Sequence, residues 1–298
     1  MFKSFDILLQ HVKQMENKTV VIAAAQTPTA IEAGFMAIDG GLSNITMTGD
    51  RAYIENHINT EYSGRMADVR IVDTGTDLRA ACVKAVELIK NGEGDLILKG
   101  KCETATLLKV ALDKVNGLRT GEIISDVLAY ETPDRLVLLS DGGINLYPEL
   151  KDMLSIIRNA VNVAHAMQCP EPKVALLSAV EKVNPKMQCT MDAALISKMN
   201  HRRQITGCVI DGPLAFDNAI SVEAARMKGI NSPVAGHADV LIVPNIESGN
   251  IFGKSLTYYC KWQVAHVVMG AAAPILIASR ADDAKTKMLS MAMGILCA

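Results

Sequence analysis

The chain repeatedly runs short apolar stretches straight into clusters of small, polar and charged residues. In the second half these are KVALLSAVEKVN from Lys173, GCVIDGPLAFDN from Gly207, ADVLIVPNIESGN from Ala238 and APILIASRADD from Ala273. Continuous apolar runs of this length predict strands buried on both faces of a parallel sheet. In the first half TVVIAAAQ, NITMTG, VRIVDTG and DLILKG are strand signals, each followed by a helical stretch. Pro28 behind Thr27 marks one helix start. TDLRAACVKAVELIKNG carries Thr76 or Asp77 to cap a helix and Gly92 to end it. Strand–helix alternation of this kind predicts an α/β protein with a parallel sheet covered on both faces.

One segment breaks the alternation. From Ile123 to Leu146 two strand signals flank Pro133-Asp134 and predict an antiparallel excursion, followed by a long helix from about Pro148 to Met167. At 298 residues the chain is long for one core and comfortable for two, and the boundary between halves is expected near that helix.

Composition narrows the function classes. Aromatic residues make up 4% of the chain, which weakens any case for stacked bases. A net charge of −2 leaves no global basic field for nucleic acid or anionic membrane, so an anionic ligand must be held by local groups. The seven cysteines are scattered without a C-x-x-C pair, which suits a reducing compartment better than a disulfide framework or zinc site. MFKSFDILLQHVKQ reads as an amphipathic helix, and the apolar stretch from Val264 to Ala278 is broken by His266, Gly270 and Pro274. A cytoplasmic protein without metal is expected.

In α/β sheets, ligands bind at the carboxyl ends of the strands, and the polar clusters stand there. Ser279-Arg280-Ala281-Asp282 joins a hydroxyl, a guanidinium and a helix start, the makings of an anion site. The alternative is an N-cap with a surface arginine. ESGNIFGK offers Gly249, Asn250 and Lys254, with glycines that let backbone approach a ligand. A glycine turn followed by a solvated lysine reads equally well. DGPLAFDN places Asp211 and Asp217 on either side of a proline-containing turn, where turn-forming Asp is the common explanation. KGKCETAT gives a second candidate anion site with Lys99, Lys101 and Thr104. Cys102 lies in that loop without a histidine close in sequence, so a bystander thiol is expected.

Taken in order, these segments resemble the phosphate acetyl/butyryl transferase family, and most its phosphate butyryltransferase branch. The likeness is carried by KVALLSAVEKVNPKM, VIDGPLAFDNAIS, SPVAGHADVLIVPNIESGNIFGKSLTY and APILIASRAD, and in the first half by LILKGKCETATLL, GLRTGEIIS and LLSDGGIN. The resemblance implies reversible acyl transfer between coenzyme A and inorganic phosphate, directly in a ternary complex, with no bound cofactor and with self-association. It implies two α/β domains flanking a cleft, as in isocitrate and isopropylmalate dehydrogenases. Residues 1–142 plus 272–298 form the first domain, and 143–271 the second. It assigns Arg280 and Lys254 to the phosphate, Ser279 to the tetrahedral intermediate and Thr104 to the acyl phosphate. Lys109 stands where relatives carry arginine, a point charge in place of a fork. Thr286 stands where acetyl-specific relatives carry a catalytic aspartate, leaving Asp282 or Asp283 as substitutes. DGGIN is expected to shape the acyl pocket. Three other readings stay open: a phosphate acetyltransferase, a decarboxylating NAD(P)-dependent dehydrogenase, and a non-catalytic coenzyme A or phosphate binder.

Overall fold

A computed structural model describes residues 1–277 and 282–298. Its elements alternate as the apolar pattern predicts. First come α1 (Phe5–Val12), β1 (Lys18–Ala23), α2 (Pro28–Asp39), β2 (Ser43–Gly49), α3 (Arg51–Glu61), β3 (Val69–Asp73), α4 (Leu78–Lys90), β4 (Leu96–Lys99) and α5 (Thr104–Ala111). Next are β5 (Ser125–Glu131), β6 (Leu136–Ser140), α6 (Leu150–Ala166), β7 (Lys173–Leu177), α7 (Gln188–His201) and β8 (Val209–Leu214). Last are α8 (Phe216–Ile220), α9 (Val222–Met227), β9 (Val240–Ile242), α10 (Ile246–Tyr258), β10 (Val264–Met269), β11 (Ile275–Leu276) and α11 (Ala284–Cys297).

The chain forms two compact units, one of Asp6–Glu122 with Ala265–Ala298, the other of Met1–Phe5 with Ile123–Val264. In the first, the strands run β3-β2-β1-β4-β11-β10, all parallel up to β11, with β10 antiparallel to it. The chain winds outward from β1 through β2 to β3, then returns to the far side of β1 as β4. That reversal makes the gap between the carboxyl ends of β1 and β4 a topological switch point. The last apolar run forms a strand of only two residues, Ile275 and Leu276, because Pro274 has no amide hydrogen and precedes it directly. α11 packs on this sheet where Gly294 leaves room: a Cβ there would stand 2.7 Å from side-chain carbons of Leu276 and Leu96.

In the second unit the order is β5-β6-β9-β7-β8. β5 and β6 form the expected antiparallel pair, and β6, β9, β7 and β8 run parallel. Its core gathers Leu128, Leu139, Leu241 and Leu256, with Tyr130 stacked on Trp262 at 6.0 Å between ring centres. The units divide before β5, whereas the sequence reading drew the first line after residue 142. The hairpin accounts for the difference, since β6 adds to β9 and so carries 123–142 into this unit. The second division falls before Ala265 where 272 was expected, so β10 belongs almost wholly with the chain's final segment. Among the described residues no helix is long and apolar enough to cross a membrane.

Candidate active site

At the switch point of the first unit the backbone comes unusually close. Gly100 and Lys101 donate their amides to the carbonyls of Ala23 and Ala24 at 2.8 and 2.7 Å. A Cβ on Gly100 would stand 2.2 Å from the Ala24 oxygen, so only glycine fits. Lys99 ends β4 at 4% exposure, and its Nζ donates to the carbonyls of Gly100 (3.3 Å) and Cys102 (3.2 Å). Thr104 opens α5 half-buried, and Lys109 is exposed in that helix's last turn. Cys102 is fully buried against Cys82 of α4. Its thiol lies below its ordinary range because it is hydrogen-bonded to Cys82 and stands beside Lys99, while Cys82 is pushed up by the same contact.

Ser279 and Arg280 lie outside the described residues. Asp282 follows them half-buried, and its carbonyl accepts a hydrogen bond from Nζ of Lys287. Asp283 caps α11, taking the amide of Thr286 at 2.8 Å; that bond holds its carboxyl below the usual range. Lys287, one turn into α11, is 4% exposed. Burial lowers its pKa, Asp282 and Asp283 raise it, and Lys99 lowers it further. Sequence reasoning passed over Lys287. The signal was its place in the helix: it shares a face with buried Ala284 and Met291, three residues before it and four after.

In the second unit the segment after β6 sits on the start of α10. Asp141 is 3% exposed, and its carboxylate accepts the amides of Gly143 (2.8 Å), Ile144 (3.0 Å) and Asn145 (3.0 Å) and the Asn145 side-chain amide (2.6 Å). Burial, with neighbouring Asp126, raises its pKa. Gly142 and Gly249 touch backbone to backbone: a Cβ on Gly249 would stand 2.7 Å from the Gly142 Cα and 2.8 Å from the Asp141 oxygen. The Asn250 side chain donates to the Gly142 carbonyl at 3.2 Å.

Three expectations change here. GNIFGK is helix, not a glycine turn, because α10 already begins at Ile246 with Asn245 capping it. Lys254 therefore stands exposed two turns in, beyond the free amides of the helix start. Gly249 serves an approach between two backbone segments; no ligand is needed to explain it. Asp211 lies inside β8, opposite Ala175 of β7, with its carboxylate on the Gly212 amide at 2.9 Å. β8 runs on through Pro213 to Leu214, so the proline lies in the strand and the expected proline-containing turn is not there. Asp217, past the strand, pairs with Lys228 at 3.1 Å.

Of the expected site residues, Lys99, Thr104, Lys109 and Asp282 belong to the first unit, and Asp211, Gly249, Asn250 and Lys254 to the second. Among the described residues no group of acidic, histidine or cysteine side chains is arranged to hold a metal.

A doubly wound parallel sheet with a buried lysine ending the strand beside its switch point defines an α/β protein. The chain belongs to the phosphate acetyl/butaryl transferase family, whose sequence profile matches residues 65–295. It is 44% identical over 300 aligned residues to the phosphate butyryltransferase of Clostridium acetobutylicum, covering all of this chain and 99% of that one. It is 40% identical to the phosphate acetyltransferase of Thermotoga maritima, covering 95% of this chain and 96% of that one. Its fold is similar to that of a branched-chain phosphotransacylase from Enterococcus faecalis (TM-score 0.82, 30% identity, 94% of this chain and 98% of that chain). The chain is an acyltransferase of this family.

Proposed function

We propose that the chain transfers a butyryl or branched short acyl group reversibly between coenzyme A and inorganic phosphate, giving acyl phosphate and free coenzyme A. The observation that carries this reading is the likeness to a phosphate butyryltransferase over the full length of both chains. The transfer runs directly in a ternary complex: the thiol sulfur attacks the acyl carbon, the bond to the phosphate oxygen breaks, and the thiol proton ends on phosphate. No acyl-enzyme forms, in keeping with a Cys102 that is fully buried.

The residue roles follow the chemistry. Arg280 and Lys254 neutralise the leaving phosphate, Ser279 donates to the tetrahedral intermediate, and Thr104, Lys99 and Lys109 add to the anion's surroundings. Asp282 is the candidate for moving the thiol proton, with Asp211, Gly249 and Asn250 shaping the substrate's surroundings. For the two units together we propose the architecture of isocitrate and isopropylmalate dehydrogenases. The return of α11 to the first unit supports this. We also propose that the protein is a cytoplasmic homo-oligomer.

A panel of acyl-CoAs with phosphate, followed by thiol release, tests the reading. Butyryl- and isobutyryl-CoA should give kcat/KM values above acetyl-CoA. A preference for acetyl-CoA turns the assignment to a phosphate acetyltransferase. Arg280→Ala should lower kcat by about 10²–10³ if Arg280 stabilises the charge that develops on the phosphate; activity near wild type removes it from the site.

A further inference from the structure

A small cavity stands at the carboxyl ends of the second unit's strands, where the strand order reverses. From β7 the chain passes through α7 to β8 on one side, then returns through α8 and α9 to β9 on the other. The gap between β7 and β9 is therefore this unit's topological switch point, the place where an open parallel sheet takes a ligand. Leu177 ends β7 and Ile242 ends β9, and both line the cavity together with Met153 of α6 and Ala193 of α7. Pro148 and Pro244 complete the wall. The first follows the DGGIN loop, and the second comes just before Asn245, the cap of α10. The cavity's two polar side chains, Cys189 and Asp192, already have partners. The Ser178 hydroxyl donates to Sγ of Cys189 at 3.1 Å, and the Gln188 side-chain amide donates to the Asp192 carboxylate at 2.9 Å. The rest of the wall offers carbon, which favours an apolar group over a polar one. The cavity measures about 20 Å³, room for one water-sized group.

We propose that this cavity reads the length of the acyl chain. It takes the methyl end of a butyryl or branched short acyl chain, which an acetyl group is too short to place there. Met153, Leu177, Ala193 and Ile242 are thereby specificity-determining residues. The proposal rests on the acyl-transfer reading for its ligand, but its test includes a measurement made without phosphate and so without turnover.

Ala193→Leu fills the cavity from a helix, where leucine is well tolerated. It should lower kcat/KM for butyryl-CoA relative to acetyl-CoA by about tenfold or more, the effect one methylene has in an apolar pocket. The phosphate KM should stay within about twofold. Leu177→Ala enlarges the cavity and should raise the ratio of hexanoyl-CoA to butyryl-CoA turnover by a similar factor. Variants that keep the wild-type acyl profile overturn the proposal. If neither variant folds, alkylation of Cys189 in the wild-type protein, read by mass spectrometry with no phosphate present, decides. Saturating butyryl-CoA should slow that alkylation about fivefold or more relative to saturating acetyl-CoA, because the longer chain covers the thiol. Equal rates overturn the proposal. Phosphate-dependent thiol release together with equal alkylation rates sinks the pocket alone. Protection of Cys189 by butyryl-CoA, without phosphate-dependent thiol release from any acyl-CoA, sinks the acyl-transfer reading and leaves the pocket standing.

Discussion

The carboxyl ends of the strands solve the same problem in opposite ways in the two units. After β6 a buried negative charge, Asp141, is surrounded by amide donors, four of them on two oxygens. After β4 and one turn into α11 buried positive charges, Lys99 and Lys287, rest on carbonyl oxygens. The first arrangement is saturated by its own loop and locks the DGGIN segment, which in turn fits glycine to glycine against α10. The second rests each ammonium on loop carbonyls, two oxygens for Lys99 and one for Lys287. A strand-end cluster therefore does not declare its role by position: the Asp141 cluster is explained by its own loop and the α10 contact alone.

The sharpest way to break that contrast is Gly249→Ala. In a helix interior the exchange should stabilise by about 1 kcal/mol through propensity alone. Here the new Cβ meets backbone atoms at 2.7 and 2.8 Å, which cannot swing aside. Overpacking of this kind costs about 1–3 kcal/mol, and more when backbone must shift. We expect a net loss of about 2 kcal/mol in denaturant unfolding. A stabilised variant shows that the contact between Gly142 and Gly249 is not tight. Gly142→Ala should cost a similar amount, and the two together less than the sum, because either one already separates the segments.

Asp141→Asn sharpens the contrast through charge. An asparagine offers one acceptor oxygen and turns an NH₂ group toward amide donors, so we expect a loss of about 2 kcal/mol. The pH dependence has a definite sign. Asp141's folded pKa is raised, so its protonated form contributes stability that is complete below the ordinary aspartate range. That contribution is lost as pH rises through the raised value. The deficit of Asp141→Asn should therefore be largest in acid and shrink toward neutral pH. Asp283 in the other unit behaves oppositely. Its pKa is lowered by the Thr286 amide, so its stabilisation is complete above the ordinary aspartate range and is lost as pH falls through the lowered value. Asp283→Ala should cost about 1 kcal/mol at neutral pH and progressively less in acid, read as urea midpoints across that range.

The sequence made one half of this comparison legible. Period and capping announced the strands, the β5–β6 hairpin and the helix starts at Pro28 and behind Asp77, because those signals act within a few residues. Lys99 and its loop were visible for the same reason, standing directly after an apolar strand. Lys287 was not singled out, since a lysine in a terminal helix reads as solvated until the helix's buried face is known. The contact between Gly142 and Gly249 joins segments far apart in the chain, and no local pattern reports a backbone approach of that range. Asn245 as the α10 cap was legible in principle, but the glycines behind it read equally well as a turn, which hid the helix that carries Lys254.

Lys254 makes the smallest expected difference to stability and for that reason separates structure from ligand most cleanly. It is exposed on α10, so Lys254→Met should change unfolding free energy by less than about 0.5 kcal/mol. Any loss of activity then belongs to the substrate. If Lys254 meets the phosphate, its KM for phosphate should rise severalfold at low salt, and added salt should raise the wild-type KM toward that of the variant, as screening of an exposed charge requires. If α10 only supports the DGGIN loop, both kinetic constants stay at wild-type values while Gly249→Ala still destabilises. That result would remove Lys254 from the phosphate and leave α10 as support for the strand end after β6 alone.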